Sequence, residues 1–157
     1  MILYHGTNND FDQIDIKKCH PNKDFGRGFY LSENKQHAYS MAERKCIFTE
    51  IGVPVVQSYS FDELLLNDGS LSVKIFDDVS VEWALFILEN RKRASKHKYL
   101  YDIVKGPIAD DGVVYQLNRY LDGMIDLDRL VLELKYKKLI HQYCFLTENA
   151  ISKLKRL

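Results

Sequence analysis

His5, Gly6 and Thr7 stand in a row after the apolar run Ile2-Leu3-Tyr4, and Tyr30 stands in Gly26-Arg27-Gly28-Phe29-Tyr30-Leu31-Ser32. Both stretches are strand-like runs touching glycine, and each offers one ring that can stack and hydrogen-bond at once. Gly26 and Gly28 have no Cβ, so the main chain there can approach a ligand or a neighbouring strand closely. Gly6 offers a bare N–H and C=O suited to a planar amide. Asp24 and Arg27 border the second stretch, and a guanidinium can grip a pyrophosphate through two parallel bonds, which favours Arg27 over Asp24 as the partner of an anionic ligand. The plainer reading of the same residues is a strand-end histidine, a core tyrosine and a solvated loop.

Two other motif readings fail. Asp24-Phe25-Gly26 copies the kinase metal-binding triplet, but the chain has no Gly-rich loop, no strand lysine of the expected type and no His-Arg-Asp. Gly26-Arg27-Gly28 would open a dinucleotide fingerprint, but Leu31 takes the place of its third glycine.

Taken in order, His5-Gly6-Thr7 and Gly28-Phe29-Tyr30-Leu31-Ser32 resemble the first two motifs of the ADP-ribosyltransferase superfamily, in the branch named for its His, Tyr and Glu motifs. The run from Tyr101 through Gly106-Pro107 to Asp111, and Gln142-Tyr143-Cys144-Phe145-Leu146-Thr147, are similar to a small bacterial family of uncharacterised domains in that superfamily. The resemblance spans nearly the whole chain. It implies an α+β fold in one domain over residues 1–157, a split, curved, mainly antiparallel sheet with flanking helices. It also implies NAD as substrate, with no metal. Tyr30 would stack on the nicotinamide and the Gly6 backbone would grip its carboxamide, while His5 would donate to a ribose hydroxyl with Thr7 beside it. Arg27 and Gly28 complete the cofactor-binding set.

The third motif departs from the pattern. Where glutamate-bearing relatives place a carboxylate, this chain has Gln142, which can bond a ribose hydroxyl but carries no charge and cannot act as a general base. The catalytic set implied is therefore His5, Tyr30 and Gln142, with acceptor activation supplied from elsewhere. His141 falls on the opposite face of that strand by alternation and is assigned no role. Small bacterial relatives of this kind are often toxins of toxin–antitoxin or phage-defence modules, which implies a macromolecular acceptor, protein or nucleic acid, and a neutralising partner protein. The alternative is a module of the same fold that binds NAD, ADP-ribose or a macromolecule without catalysis.

Composition sets the bounds. The chain has 157 residues with 46% hydrophobic content, enough for one well-packed domain. Lys plus Arg and Asp plus Glu balance at 22 each, so net charge points to neither nucleic acid nor membrane. Three widely spaced cysteines, with no Cys-x-x-Cys pair, argue against a disulfide framework and a structural zinc site and fit a reduced cytoplasm. No apolar run approaches membrane-spanning length. The basic run Arg91, Lys92, Arg93, Lys96, Lys98 reads as a helix end followed by a solvated loop, or as a landing patch for a nucleic-acid acceptor. Asp102, Asp110 and Asp111 read as a strand-end acid and a helix cap rather than a metal site.

The elements that must position these residues follow from periodicity. Ile2 to Tyr4 is a strand; Phe11 to Ile16 alternates; a helix capped by Ser32 carries Ala38, Met41 and Ala42, with Gly52 beyond its end. Pro54 to Tyr59 is β-rich, Asp62 to Leu66 a helical turn, and Leu71 to Phe76 alternates again. Val79 to Arg93, capped by Ser80, is the clearest helix, with Trp83 facing the core. Tyr101 to Val104 is a strand ended by Gly106-Pro107, and two helices follow, over 112–121 and 127–135. Gln142 to Leu146 is a buried strand, and Thr147 caps a helix over 148–155.

Overall fold

Unbroken apolar runs make strands with two buried faces, and successive side chains in the sheet they build go to opposite sides. The computed structural model describes residues 1–92, 101–109, 111–134 and 140–157. Among the described residues seven strands form one sheet: β1 (Ile2–Thr7), β2 (Phe29–Ser32), β3 (Val55–Ser60), β4 (Val73–Ile75), β5 (Ile103–Pro107), β6 (His141–Phe145) and β7 (Lys155–Arg156), in the order β4-β5-β6-β2-β1-β3-β7. Every pairing is antiparallel except β4 with β5, so the sheet is mixed, and the domain is α+β. The helices are α1 (Lys35–Thr49), α2 (Val81–Arg91), α3 (Asp111–Leu121), α4 (Leu127–Leu134) and α5 (Glu148–Ile151).

Alternation divides the core in two. On one face Cys144 and Val104 pack with Phe25, Phe76 and the inward residues of α2, α3 and α4, among them Trp83, Ile87, Leu117 and Leu130. On the other, Leu3, Phe29, Leu31, Tyr143 and Phe145 pack with Tyr59, Phe61 and Ala150. Trp83 is fully buried, and its indole N–H donates to the Pro107 carbonyl at 3.3 Å.

The sheet is nearly cut in two at its centre. β1 pairs β3 along six positions but meets β2 at one, Tyr4 opposite Ser32. Beyond that pair the β2-facing edge of β1, from His5 to Thr7, has no ladder partner among the described residues, which opens a gap between the strands. Behind the gap lies α1, whose Ala38 carbonyl is so close that a Cβ built on Gly6 would sit 1.9 Å from it.

Several boundaries differ from the sequence expectations, each for a local reason. Asn34, not Ser32, caps α1: its Oδ1 accepts from the His37 N–H at 2.9 Å, while Ser32 Oγ accepts from the Asn34 N–H one step earlier. Residues 11–16 form no strand; Asp15 caps a short 3₁₀ turn at Ile16–Lys18, and Phe11 and Ile14 pack onto the core. Gly106-Pro107 lie inside β5 rather than after it. The last helix stops at Ile151 because Leu154 turns into the core and Lys155–Arg156 pair with β3, where Arg156 also bonds Asp10, Asp12 and the Phe11 carbonyl. Arg93, Lys96, Lys98, Asp110 and Lys135 lie outside the described residues. Asp102 accepts from the Ser72 N–H and the Thr147 hydroxyl, a structural tie between β4 and α5.

Candidate functional site

A cavity of about 680 Å³ opens at the central gap, on the α1 side of the sheet. That volume lies within the range of small-molecule sites. Register explains its composition: Tyr4 pairs Ser32 and Ser32 pairs Gln142, so three adjacent strands present one row, and Tyr30, two residues before Ser32, shares its face. Tyr4, His5, Gly6, Tyr30, Ser32 and Gln142 all line the cavity. Helix α1 adds His37, Met41 and Arg44, the loop before β2 adds Asn22, Lys23 and Asp24, and α2 contributes Arg91.

His5 lies on the Leu3 side of β1 by alternation and reaches the cavity at the gap, its ring against Phe29 at a centroid distance of 4.4 Å. Its Nδ1 is 2.8 Å from the Tyr30 carbonyl. A carbonyl only accepts, so Nδ1 carries the proton. Burial holds the ring pKa down to about 4, against the raising effect of the Tyr30 bond, so the ring is neutral near pH 7. Nε2 is then a lone-pair acceptor. The expectation that His5 donates to a ribose hydroxyl is corrected in its direction: the ring can accept from such a hydroxyl.

Tyr30 shows the cavity its ring and spends its hydroxyl on the chain. The phenol donates to the Gly26 carbonyl at 2.8 Å and accepts from the Phe25 N–H at 2.9 Å, and burial pushes its pKa well above the usual value. Lys23 Nζ stands 5.5 Å from the ring centroid, a cation–π contact made by an exposed lysine that a stacking cationic ring would displace. These bonds fix the loop before β2, with Phe25 sunk against Phe76 and Phe86 and Gly26 at φ +90°.

That fixed loop delivers Asp24. Arg91 donates to Asp24 Oδ1 from Nε at 2.8 Å and from Nη2 at 2.5 Å, and Gln142 Nε2 donates to Oδ2 at 3.2 Å. The Asp24 side chain is 14% exposed. The position lacking a glutamate therefore has a carboxylate beside it, drawn from a residue 118 positions earlier in the chain. Sequence reasoning ranked Asp24 below Arg27 and read Arg91 as part of a helix-end basic run; no local pattern announces a contact made across such a separation.

The other expected site residues fall elsewhere. Arg27 donates to the Lys17 carbonyl at 3.4 Å, and the cations lining the cavity are Lys23, Arg44 and Arg91. Thr7 is buried and lies beside Lys45 Nζ at 3.4 Å, outside the lining. Gly28 also lies outside it; a Cβ there would meet Cys144 Sγ at 2.5 Å and the Phe145 carbonyl at 2.7 Å, so its lack of a side chain serves strand packing. His141 bonds the Asp77 carbonyl away from the cavity.

Three cations against one carboxylate make the lining net positive, which suits an anion such as a pyrophosphate. His5 Nε2 and Gln142 Oε1 are acceptors suited to sugar hydroxyls, and the Tyr30 face suits a cationic aromatic ring. Among the described residues no group of three His, Cys, Asp or Glu side chains could hold a metal, Cys19, Cys46 and Cys144 are free thiols, and no helix is long and apolar enough to cross a membrane.

A family model described as "Protein of unknown function (DUF3990)" matches residues 1–156. No curated protein and no solved structure matches the chain.

Proposed function

The chain belongs to the DUF3990 family, and from its cavity we propose that it is an NAD-dependent ADP-ribosyltransferase of ADP-ribosyltransferase-like fold. One observation carries the reading: β1, β2 and β6 bring His5, Gly6, Tyr30 and Gln142 to a single cavity whose charged lining is mostly cationic. The residues present fit NAD. Lys23, Arg44 and Arg91 would meet the pyrophosphate, Tyr30 would stack on the cationic nicotinamide, and His5 Nε2 and Gln142 Oε1 would accept from ribose hydroxyls. ADP-ribosyl transfer breaks the bond between the nicotinamide nitrogen and ribose C1′, with the electron pair leaving on nitrogen. It then joins C1′ to an acceptor atom, whose proton passes to solvent.

Holding NAD still in this cavity contributes through orientation, and fixed dipoles near C1′ contribute by opposing the positive charge that develops there. The chain acts in the cytoplasm in this reading, as a bacterial toxin of a toxin–antitoxin or phage-defence module that modifies a macromolecular acceptor, with a protein antitoxin as its partner. A second reading has a specific observation behind it: Gln142 replaces the glutamate and Asp24 is already paired with Arg91, as in a module that binds NAD without cleaving it.

Incubation of the purified chain with NAD labelled in the adenylate half and a bacterial lysate, followed by separate protease and nuclease treatment, tests both readings. Label transferred to a macromolecule and released by one of the two treatments supports the transferase and identifies the acceptor class. NAD binding by calorimetry with no transfer and no nicotinamide release supports the binding module. Tyr30→Ala should weaken NAD binding about five- to tenfold, since stacking contributes on the order of 1 kcal/mol. A folded wild-type chain that does not bind NAD at millimolar concentration overturns both.

A further inference from the structure

Gln142 has two ends, and the structure decides which one a ligand meets. Arg91 Nε and Nη2 both donate to Asp24 Oδ1, which leaves Oδ2 for Gln142 and Arg91 Nη1 for a ligand. A carboxylate only accepts, so the Gln142 atom beside it is the NH₂ nitrogen and Oε1 is the atom left for the cavity. We infer that Asp24, braced by Arg91, is a positioning residue that fixes the Gln142 carboxamide with its oxygen toward a ribose hydroxyl, so that an amide presents the acceptor a carboxylate would present. This inference rests on the reading of the cavity as an NAD site. The fixed amide turns the negative end of its dipole toward the ribose carbon where positive charge develops, and Asp24 supplies the formal charge behind it.

The substitution Asp24→Asn makes a sharp case. Arg91 has only donors, so it keeps the oxygen of the introduced amide and leaves that amide's NH₂ facing Gln142. Gln142 must then turn its own oxygen to the introduced NH₂ and its own NH₂ to the cavity. The dipole is reversed with almost no change in shape. In Asp24→Asn/Gln142→Glu the amide introduced at position 24 donates to one oxygen of the carboxylate introduced at position 142. The other carboxylate oxygen faces the cavity as an acceptor, which restores both the contact and the charge. Gln142→Glu alone sets two carboxylates against each other where one hydrogen bond of 3.2 Å stood, and one of them must take up a proton.

Nicotinamide release from saturating NAD and the NAD dissociation constant by calorimetry should be measured for the wild type and these three variants. Asp24→Asn should lower kcat tenfold or more with the dissociation constant changed less than threefold. Gln142→Glu should gain an alkaline limb in its pH profile, as the proton shared by the two carboxylates is lost, and the double variant should return kcat to within about threefold of wild type. A double variant as slow as Asp24→Asn overturns the inference, because a purely structural role for Asp24 as the anchor of Arg91 is not rescued at position 142. A wild type that binds no NAD and releases no nicotinamide removes the reading of the site, and this inference with it. A readout on the wild type needs no folded Asp24 variant: the side-chain NH₂ resonances of Gln142, assigned by their loss in Gln142→Ala, should exchange with solvent at least tenfold more slowly than those of exposed Gln36. Equal exchange overturns the inference.

Discussion

A histidine usually keeps the choice of which nitrogen donates, but the Tyr30 carbonyl removes that choice from His5. Burial, the largest influence on the ring, favours its neutral form, with a pKa of about 4 in the fold against 6.5 when unfolded. The unfolded chain therefore binds more protons between those two values. Stability contributed by neutral His5 is fully present above about pH 6.5 and is lost as pH falls toward 4, by roughly 3 kcal/mol at most from a shift of this size. In His5→Asn the side-chain NH₂ stands near Nδ1 and keeps the bond to Tyr30 but does not titrate. Urea unfolding at pH 7, 5.5 and 4 should show a smaller acid loss in His5→Asn than in wild type; equal losses would assign the acid sensitivity to the carboxylates. Tyr30 brings a second residue-scale expectation. Its hydroxyl holds the Phe25 N–H and the Gly26 carbonyl, so Tyr30→Phe keeps the stacking ring but loosens the loop that carries Asp24. The cost should be about 1–3 kcal/mol in urea unfolding, with a buried N–H left unpaired. A hydroxyl that served only a ligand would leave stability unchanged.

Elements place these residues through close approach as much as through pairing. The Gly6 Cα lies so near α1 that a Cβ would meet the Ala38 carbonyl at 1.9 Å and its carbon at 2.9 Å, both backbone atoms that cannot rotate away. Gly6→Ala should cost at least 2 kcal/mol, at the upper part of the ~1–3 kcal/mol typical of overpacking. Gly69 serves as the control: its φ is +79° but a Cβ there meets nothing, so Gly69→Ala should show only the ~1 kcal/mol of left-handed strain. Equal costs at the two positions would mean that α1 shifts freely. The sequence made Gly6 legible as a position where backbone matters, and unbroken apolar runs made β1, β2 and β6 legible because each must fill two core faces. Val81–Arg91 was legible from its three- and four-residue spacing and the Ser80 cap. The single-pair contact of β1 with β2 was not, since register between strands leaves no mark within either. The Asp24 contacts escaped for the same reason. Asp24-Phe25-Gly26 shows its turn chemistry locally, but the phenol that pins it, the guanidinium that pairs it and the amide it orients come from three other elements.

At the scale of the molecule, the central question is whether a sheet joined at one register position behaves as one body. Tyr4 opposite Ser32 is the only β1–β2 ladder pair among the described residues, yet Leu3, Tyr59 and Phe61 from the β1–β3 side pack in one core with Phe29, Tyr143 and Phe145 from the other. That shared core couples the two halves, and unfolding should be a single cooperative transition. A ligand that binds only the folded state then stabilises every part of it equally. At a free NAD concentration 100 times its dissociation constant the gain is about 2.7 kcal/mol. For a chain of this length the same gain should raise Tm by roughly 5–11 °C. Amides of β5 and β6 and amides of β1 and β3 that exchange only through global unfolding should slow by the same factor, about 100. Native-state hydrogen exchange with and without NAD checks this. If β1 and β3 slow while β5 and β6 do not, the halves open separately and the core across the gap does not bind them.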